Sequence, residues 1–260
     1  MKTAGIITEY NPLHYGHAFL MQAVRRQYGG DTAIICAMSG DFVQRGDFAL
    51  VRRQARAEAA VRSGADLVLE LPLPWAVRSA EGFARGGIDV LTGTGMLDVL
   101  AFGSECGDSA ALLRAAKALE SPALPPLLKA ALAQGDNFAA ARQRAVSALL
   151  AAEDAALLSS PNNTLGIEYC RALLQSGIEP EIFTVSRTGA AHDAAAGDAG
   201  GYSASAIRQL LGDGRRPVPH GSGHAGRLCG RGSRRPRPGV CIRLRAGNPV
   251  PSPRNVPGGF

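Results

Sequence analysis

Two of the chain's five histidines stand close together near its start, in the stretch ITEYNPLHYGHAFLMQAV over residues 7–24. His14 and His17 are three positions apart, so on a helix they share one face. An imidazole can donate a hydrogen bond to a phosphate oxygen, and that bond strengthens as charge builds up in a transition state. Gly16 would let a nucleotide ring approach the backbone closely. The pair predicts attack on the α-phosphate of a nucleoside triphosphate, with pyrophosphate leaving.

The elements on either side of the histidines favour the same interpretation. Residues 2–8 predict a short buried strand, Pro12 would fix the turn, and a helical pattern then runs to Gly29-Gly30. A helix N-terminus attracts phosphate through its unpaired N–H groups, and ligands of open α/β sheets bind beyond the carboxyl ends of strands. Two surface histidines placed by chance remain the alternative. A zinc site is less favoured, because no third ligand stands at a recognisable spacing.

Strand and helix patterns alternate through the first hundred residues and predict βαβ units around a parallel sheet. Further strands are predicted at 32–39, 65–72, 98–105 and 181–187, and helices at 51–64, 79–91, 159–177 and 203–212. Residues 109–158 are rich in alanine and leucine and predict two or three helices, broken at ESPALPP. The expected fold class is α/β, a Rossmann-like doubly wound parallel sheet with a helical insertion at 109–158.

The basic charge of the chain is concentrated at its end. The net charge is +6, but residues 214–260 contain ten arginines and no acidic residue or lysine. Residues 1–213 therefore carry −4, from 18 basic and 22 acidic side chains, which weakens any argument from global charge to nucleic-acid binding. With ten glycines and eight prolines in 47 residues, we expect 214–260 to be a disordered or non-native tail after an ATP-binding domain at 1–213.

The N-terminal residues, the apolar runs and the cysteines indicate the cellular compartment. The first residues lack the apolar core and cleavage site of a signal peptide, and no apolar run reaches the roughly 18 residues that span a bilayer. The five cysteines are scattered and form no C-x-x-C pair, so neither a disulfide framework nor a zinc ribbon is predicted. We expect a cytoplasmic protein with no membrane partner and no bound structural metal.

Several blocks together resemble one known family. GIITEYNPLHYGH resembles the His-x-Gly-His signature of the nucleotidylyltransferase superfamily, in particular of the bacterial tRNA(Met) cytidine acetate ligases. MSGDFVQRGDFAL, GADLVLELPLPWAVRSAEGFA, LAFGSECGD and SPNNTLGIEYCRAL are similar to the later blocks of that family, in the same order, up to about residue 213. The family extends well past this chain's length. The resemblance implies that ATP activates acetate as acetyl-adenylate, and that N4 of the wobble cytidine of elongator tRNA(Met) is then acetylated.

The resemblance also implies roles for particular residues. His14 and His17 would stabilise the reacting phosphate, while Arg187 and the start of the last predicted helix would bind the leaving pyrophosphate. Mg²⁺ is expected to bridge the phosphates, although no dedicated carboxylate cage is visible. The implied ATP-binding residues are Ile7, Thr8, Glu9, Tyr10, Asn11, Pro12, Leu13, His14, Tyr15, Gly16, His17, Ala18, Phe19, Leu20, Gly103, Asn162, Asn163, Arg187, Ser203, Ser205 and Arg208.

Each of the distant positions also has a purely structural interpretation. Gly103 could simply end a strand, and Ser160 to Asn163 could be a helix cap with proline in the first turn. Arg45, Arg52 and Arg56 are weaker candidates for tRNA phosphates, because such a run is more often a solvated helix face. Two other functions stay open: a nucleotidyltransferase of cofactor biosynthesis, or an inactive nucleotide-binding relic.

Overall fold

A computed structural model describes residues 1–186, 204, 207–209 and 240–242, with the backbone alone at Arg45, Ala139 and 240–242. The described strands form one six-stranded parallel sheet in the order β5-β4-β1-β2-β3-β6. Their bounds are β1 (Thr3–Thr8), β2 (Ala33–Ser39), β3 (Leu67–Leu71), β4 (Val99–Ser104), β5 (Glu181–Ser186) and β6 (Val240–Ile242). The strand order reverses direction between β1 and β4, which is where an open α/β sheet leaves a crevice at its carboxyl edge.

Helices cover the connections between these strands. Their bounds are α1 (Tyr15–Tyr28), α2 (Arg53–Ser63), α3 (Leu73–Ala76), α4 (Ala80–Thr92), α5 (Ser109–Leu119), α6 (Leu124–Ala133), α7 (Phe138–Ser147), α8 (Ala152–Ala156) and α9 (Pro161–Ser176). Two short 3₁₀ turns occur at Gln44–Gly46 and Leu157–Ser159. Within the described ranges, none of the helices is both long and apolar enough to cross a bilayer.

The hydrophobic core has one layer on each face of the sheet. Alternate strand residues point to opposite faces, so Ile6 packs with α1 and α2 while Ile7 packs with α4, α5 and α9. Gly87 lets α4 lie close on β1, because a Cβ there would come within 2.6 Å of the Ile7 side chain. This arrangement confirms the predicted doubly wound sheet and positions the ends of β1 and β4 between the two helical layers.

The five strands predicted from sequence are confirmed, each with bounds within two residues of the prediction. The insertion contains four helices, α5 to α8, rather than two or three. The predicted break at ESPALPP is confirmed, because α5 ends at Leu119 and α6 begins at Leu124. Pro125 and Pro126 themselves lie in the first turn of α6, where the N–H groups have no intrahelical acceptors. Helix α3 was not predicted. Of the helix predicted at 203–212, the described residues 204 and 207–209 are helical.

The predicted division at residue 213 falls outside the described residues and stays a prediction. The proposed tail is described at only three positions, Val240–Ile242, which pair in parallel with β3. That strand was not predicted, since Arg, Gly and Pro dominate the composition around it.

Candidate functional site

A cleft of about 280 Å³ lies at the carboxyl ends of β1 and β4, at the point where the strand order reverses. The predicted ATP-binding residues in its lining are Ile7, Thr8, Glu9, Tyr10, Asn11, His17, Leu20, Gly103, Asn162 and Arg208. Segments more than 190 residues apart in the chain thus meet at one site, as the sequence analysis expected. The lining residues that it missed are Ile6, Gln44, Phe83, Phe102, Leu165, Ala204 and Tyr169.

The missed residues are mostly apolar and carry no chemical signal of their own. Phe83, Leu165 and Tyr169 lie inside sequence blocks that resemble the family, so the blocks could have identified them where residue type could not. Eight predicted contacts do not line this cleft as described: Pro12, Leu13, His14, Tyr15, Gly16, Ala18, Phe19 and Asn163.

The two histidines form the N-terminal cap of α1. His14 is the N-cap residue, and its Nδ1 accepts the backbone N–H of Gly16 at 3.0 Å. His17 returns the interaction, because its Nδ1 accepts the backbone N–H of His14 at 3.2 Å. The two ring centroids lie 3.9 Å apart. A nitrogen that accepts a hydrogen bond carries no proton, so each neutral ring carries its proton on Nε2. The cap therefore makes both imidazoles Nε2–H donors.

Tyr10 directs the chain from β1 towards this cap. Its φ of 48° is in the left-handed region, which costs a residue with a Cβ about 1–2 kcal/mol. The side chain is buried, its ring lies edge-on to His17 at 4.9 Å, and its hydroxyl is 3.3 Å from Cys36 Sγ. Burial raises the pKa of Tyr10 well above its usual value and that of Cys36 to about 12. Both groups stay protonated near neutral pH and form a fixed wall behind His17.

The loop between β2 and α2, residues 40–52, is held against the same strand end. Glu9 Oε1 accepts the backbone N–H of Gln44 at 2.6 Å, and Asn11 Oδ1 accepts that of Leu50 at 2.7 Å. Two residues predicted to contact ATP thus also position this loop with their side chains. Gln44 enters the cleft lining as a result.

Arg56 corrects one of the tRNA expectations. It was predicted to share an exposed helix face with Arg52, but it is only 2% exposed. Its guanidinium donates to the carbonyls of Glu9 and Gly40, and to that of Val51 at 2.9 Å. We therefore withdraw Arg56 as a tRNA contact, because no phosphate can reach it. Arg52 is exposed at the start of α2, and the side chain of Arg45 is outside the described set.

The start of α9 forms the opposite wall, and Glu105 caps it. Ser160 is the N-cap residue but makes no capping hydrogen bond with its side chain. Instead the Glu105 carboxylate accepts the N–H groups of Asn162 and Asn163, at 3.1 and 2.6 Å, and the Asn162 side-chain amide at 2.7 Å. Burial alone would raise the pKa of Glu105, but these donors outweigh it and leave the pKa below its usual value.

The two asparagines have different surroundings. Asn163 is 3% exposed, and its Oδ1 accepts the N–H of Cys106 at 3.1 Å, which fixes the segment after β4. Asn162 lines the cleft, near Gly103 at the end of β4. Of the predicted pair, Asn163 is therefore buried and supports the wall of the cleft, while Asn162 lies on the surface of that wall.

Arg208 approaches the histidine side of the cleft. Its Nη1 donates to the carbonyl of Asn11 at 2.6 Å. Ser203, Ser205 and Arg187, predicted with it, lie outside the described residues. Among the residues that are described, no three His, Cys, Asp or Glu side chains are grouped so that they could hold a metal ion.

These features define a class: an α/β protein with hydrogen-bond donors around a crevice at the switch point of its sheet, where such folds bind nucleotides. Comparison with known families identifies the particular family. A model of the HIGH Nucleotidyl Transferase family matches residues 1–222, and the chain belongs to that family.

The chain is also similar to several tRNA(Met) cytidine acetate ligases. It is 46% identical over 215 residues to that of Syntrophotalea carbinolica and 39% identical over 216 residues to that of Bacillus subtilis. Each alignment covers 81% of this chain, but 51% and 52% of the relative. The chain therefore spans about half the length of the curated relatives it matches.

Two solved structures have the same fold. Thermotoga maritima TmcAL bound with alpha-thio ATP matches with a TM-score of 0.73 and 35% identity, covering 82% of this chain and 51% of that one. The apo form matches with a TM-score of 0.76 and 34% identity, covering 85% of this chain and 55% of that one.

Proposed function

We propose that this chain uses ATP to activate acetate as acetyl-adenylate, for transfer to N4 of the wobble cytidine of elongator tRNA(Met). One observation carries the proposal: His17, in the first turn of α1, shares a cleft with Gly103, Asn162 and Arg208. The similarity to a TmcAL structure that is bound with alpha-thio ATP supports ATP as the ligand of this cleft. The names of the relatives support acetate and tRNA(Met) as the other substrates.

In the first step, a carboxylate oxygen of acetate attacks the α-phosphorus, and the bond to the bridging oxygen of the leaving pyrophosphate breaks. The Nε2–H groups of His14 and His17 donate to phosphate oxygens as their negative charge increases. Arg208 binds the pyrophosphate side, where its planar fork suits phosphate oxygens. We assign Arg187, Ser203 and Ser205 to the same task. Gly103 and Asn162 bind the nucleoside side.

In the second step, the cytidine amine attacks the acyl carbon, loses a proton and releases AMP. The adenylate divides one difficult condensation into two easier reactions. Mg²⁺ is proposed only as an ion bound by the triphosphate itself, because the described carboxylates do not form a metal-binding site. Arg45 and Arg52 remain the proposed tRNA contacts. We place the reaction in the cytoplasm and the ATP-binding unit in residues 1–213, with a non-native or disordered tail after it.

The test is an exchange experiment with labelled pyrophosphate and ATP. We expect exchange that depends on acetate. A parallel reaction contains nicotinate mononucleotide or phosphopantetheine instead, and a third contains ATP alone. A stable dinucleotide-like product from the second reaction would support a role in cofactor biosynthesis. ATP binding without exchange in any of the reactions would indicate an inactive nucleotide-binding relic.

A further inference from the structure

An exposed phenylalanine lies on the loop between β2 and α2, beside the proposed ATP cleft. Phe48 is 78% exposed, and Leu50 and Val51 shortly after it are exposed as well. The ring of Phe48 lies 4.8 Å from that of Phe42, between centroids, at an angle of 36°. A neighbour thus supports the ring while most of its surface stays in solvent. Exposed apolar side chains that stand together, unlike single ones, mark sites of interaction.

The loop holds this ring in a fixed position. Phe42 and Phe48 pair as an antiparallel bridge, and the Val43 N–H donates to the Asp47 carbonyl at 2.9 Å. The rest of the 40–52 loop is bound to the residues just after β1 and to α2 by the hydrogen bonds described above. A partner that binds a ring on such a loop has little conformational freedom to remove, so less binding free energy is lost in ordering it.

The position and charge of the loop indicate what it can bind. Gln44 lines the cleft and stands four residues before Phe48, so the ring is within roughly 14 Å of the lining, the reach of four extended residues. Residues 40–52 contain two aspartates and two arginines and therefore carry no net charge. The loop is thus suited to an uncharged, flat part of a partner rather than to its phosphates.

We propose that Phe48 stacks on an unpaired base that flanks the wobble cytidine while that cytidine occupies the cleft. Bases of RNA loops are unpaired and can be turned outward to stack on aromatic side chains. Such stacking tolerates any base, because every base has a π-face. Phe48 therefore positions the cytidine without selecting among tRNAs. The inference rests on the proposed function, since it needs RNA as the second substrate.

The chain offers a matched control in Phe138. It is 63% exposed at the first residue of α7, and it lies outside the described lining of the cleft. Phe138→Ala removes a similar exposed ring from the helical insertion. At position 48, Phe48→Tyr keeps the ring, whereas Phe48→Leu keeps an apolar side chain without a π-face. Because both positions are exposed, all of these variants and Phe48→Ala should fold, which thermal unfolding verifies.

The experiment uses a hairpin RNA with the anticodon loop of elongator tRNA(Met), labelled for fluorescence anisotropy. Phe48→Ala should weaken binding about tenfold, within the range for one stacked base. Phe48→Leu should bind as weakly, while Phe48→Tyr and Phe138→Ala should stay within about twofold of the unmodified chain. The difference between Phe48→Ala and the unmodified chain should persist as salt increases, because stacking involves no ion pair.

A second measurement identifies the stacked base directly. The hairpin carries 5-iodouridine at one or the other position beside the wobble cytidine, and irradiation crosslinks this base to an aromatic ring stacked on it. Mass spectrometry of the crosslinked peptide should locate the bond at Phe48 for at least one of the two positions. The crosslink should persist in Phe48→Tyr and in Phe138→Ala and be lost in Phe48→Leu.

Unchanged affinity in Phe48→Ala would overturn the inference, as would full affinity in Phe48→Leu or crosslinks only at other residues. A dimer in sedimentation that Phe48→Ala disrupts, with unchanged RNA affinity, would also overturn it, because the exposed side chains would then join two copies of the chain. The proposed function is decided separately. It fails if the unmodified chain shows no acetate-dependent pyrophosphate exchange, whereas affinity and crosslinking need no ATP and still decide the role of Phe48.

Discussion

His14 and His17 each accept a backbone N–H at Nδ1, which leaves the proton of the neutral ring on Nε2. Folding and chemistry thus use opposite sides of the same ring. Substitution by alanine would remove both functions at once. Glutamine at position 17 separates them, because Gln is a natural partner at the third position of a capping box but cannot reproduce the imidazole Nε2–H donor.

We expect His17→Gln to lower the rate of adenylation by about 10²–10³, the usual cost of losing one donor to a developing charge. The KM for ATP should change much less, because the bond strengthens mainly in the transition state. Pyrophosphate exchange measures the rate, and thermal unfolding shows whether the cap is kept. Near-normal exchange in His17→Gln, at an unchanged Tm, would mean that His17 only caps the helix.

Buried acidic groups make the chain sensitive to high pH. Burial raises the pKa of Cys36 and of Cys170 to about 12, and raises that of Tyr10. An unfolded thiol titrates near 8.5. Because the folded pKa is the higher one, the stability from these groups is complete below about pH 8.5 and is lost as pH rises towards 12. We expect the free energy of unfolding in urea to fall from pH 7.5 to 10.5.

Each thiol contributes a slope of up to about 1.4 kcal/mol per pH unit, so Cys170→Ala should have a shallower pH dependence than the unmodified chain. The depressed pKa of Glu105 acts in the opposite direction and only at acid pH. Stability that stays constant up to pH 10.5 would show that these thiols and hydroxyls are accessible to water.

At the scale of elements, α2 fixes the 40–52 loop through one buried side chain. Arg56 donates to three carbonyls, those of Glu9, Gly40 and Val51. Arg56→Met fills a similar volume but leaves these acceptors without partners, at roughly 1–3 kcal/mol for each group that water cannot reach. We expect a loss of about 3 kcal/mol in urea unfolding and weaker ATP binding, because Glu9 lies in the cleft.

Arg52→Ala is the control for Arg56→Met, since Arg52 is exposed on the same helix. Its effect on stability should stay within about 0.5 kcal/mol. Equal effects from the two variants would mean that the carbonyls find other donors and that the loop does not depend on Arg56.

The elements that follow local rules were predictable from sequence, and those that depend on distant contacts were not. β1 and β2 show in the sequence as short apolar runs, and the confirmed bounds differ by a residue or two. The position of Ser160 at the N-cap of α9, with proline in the first turn, is confirmed, but the capping carboxylate belongs to Glu105, more than fifty residues away. Arg56 was predicted to be exposed to solvent. Hydrophobic periodicity shows which residues share a helix face, but it cannot show that three carbonyls from other segments lie around that face of α2.

At the scale of the whole molecule, the basic stretch between residues 45 and 62 gives tRNA little to bind. Of the arginines between 45 and 62, Arg56 is buried, Arg53 pairs with Asp41 and Glu70, and Arg62 pairs with Glu58. Residues 1–213 carry −4, so long-range attraction to a polyanion is weak or repulsive. The lining of the proposed ATP cleft lies within residues 6–208 and therefore includes none of the ten arginines of residues 214–260.

We therefore expect the 260-residue chain to catalyse acetate-dependent pyrophosphate exchange but to transfer acetyl to tRNA poorly. Transfer requires a cytidine within attack distance of the acyl carbon, and positioning a large polyanion takes many phosphate contacts. The composition of residues 214–260 predicts disorder, and their ten arginines would then add affinity through charge without register. Binding should then weaken steeply with salt and depend little on which tRNA is offered.

The measurement compares exchange with acetyl transfer to elongator tRNA(Met), side by side with the Bacillus subtilis relative, of which the match covers 52%. Exchange should be comparable between the two, and transfer by this chain at least about tenfold lower. Equal transfer, selective for elongator tRNA(Met), would show that this chain positions the tRNA without the remaining half of the relative's length. The argument from charge would then be wrong.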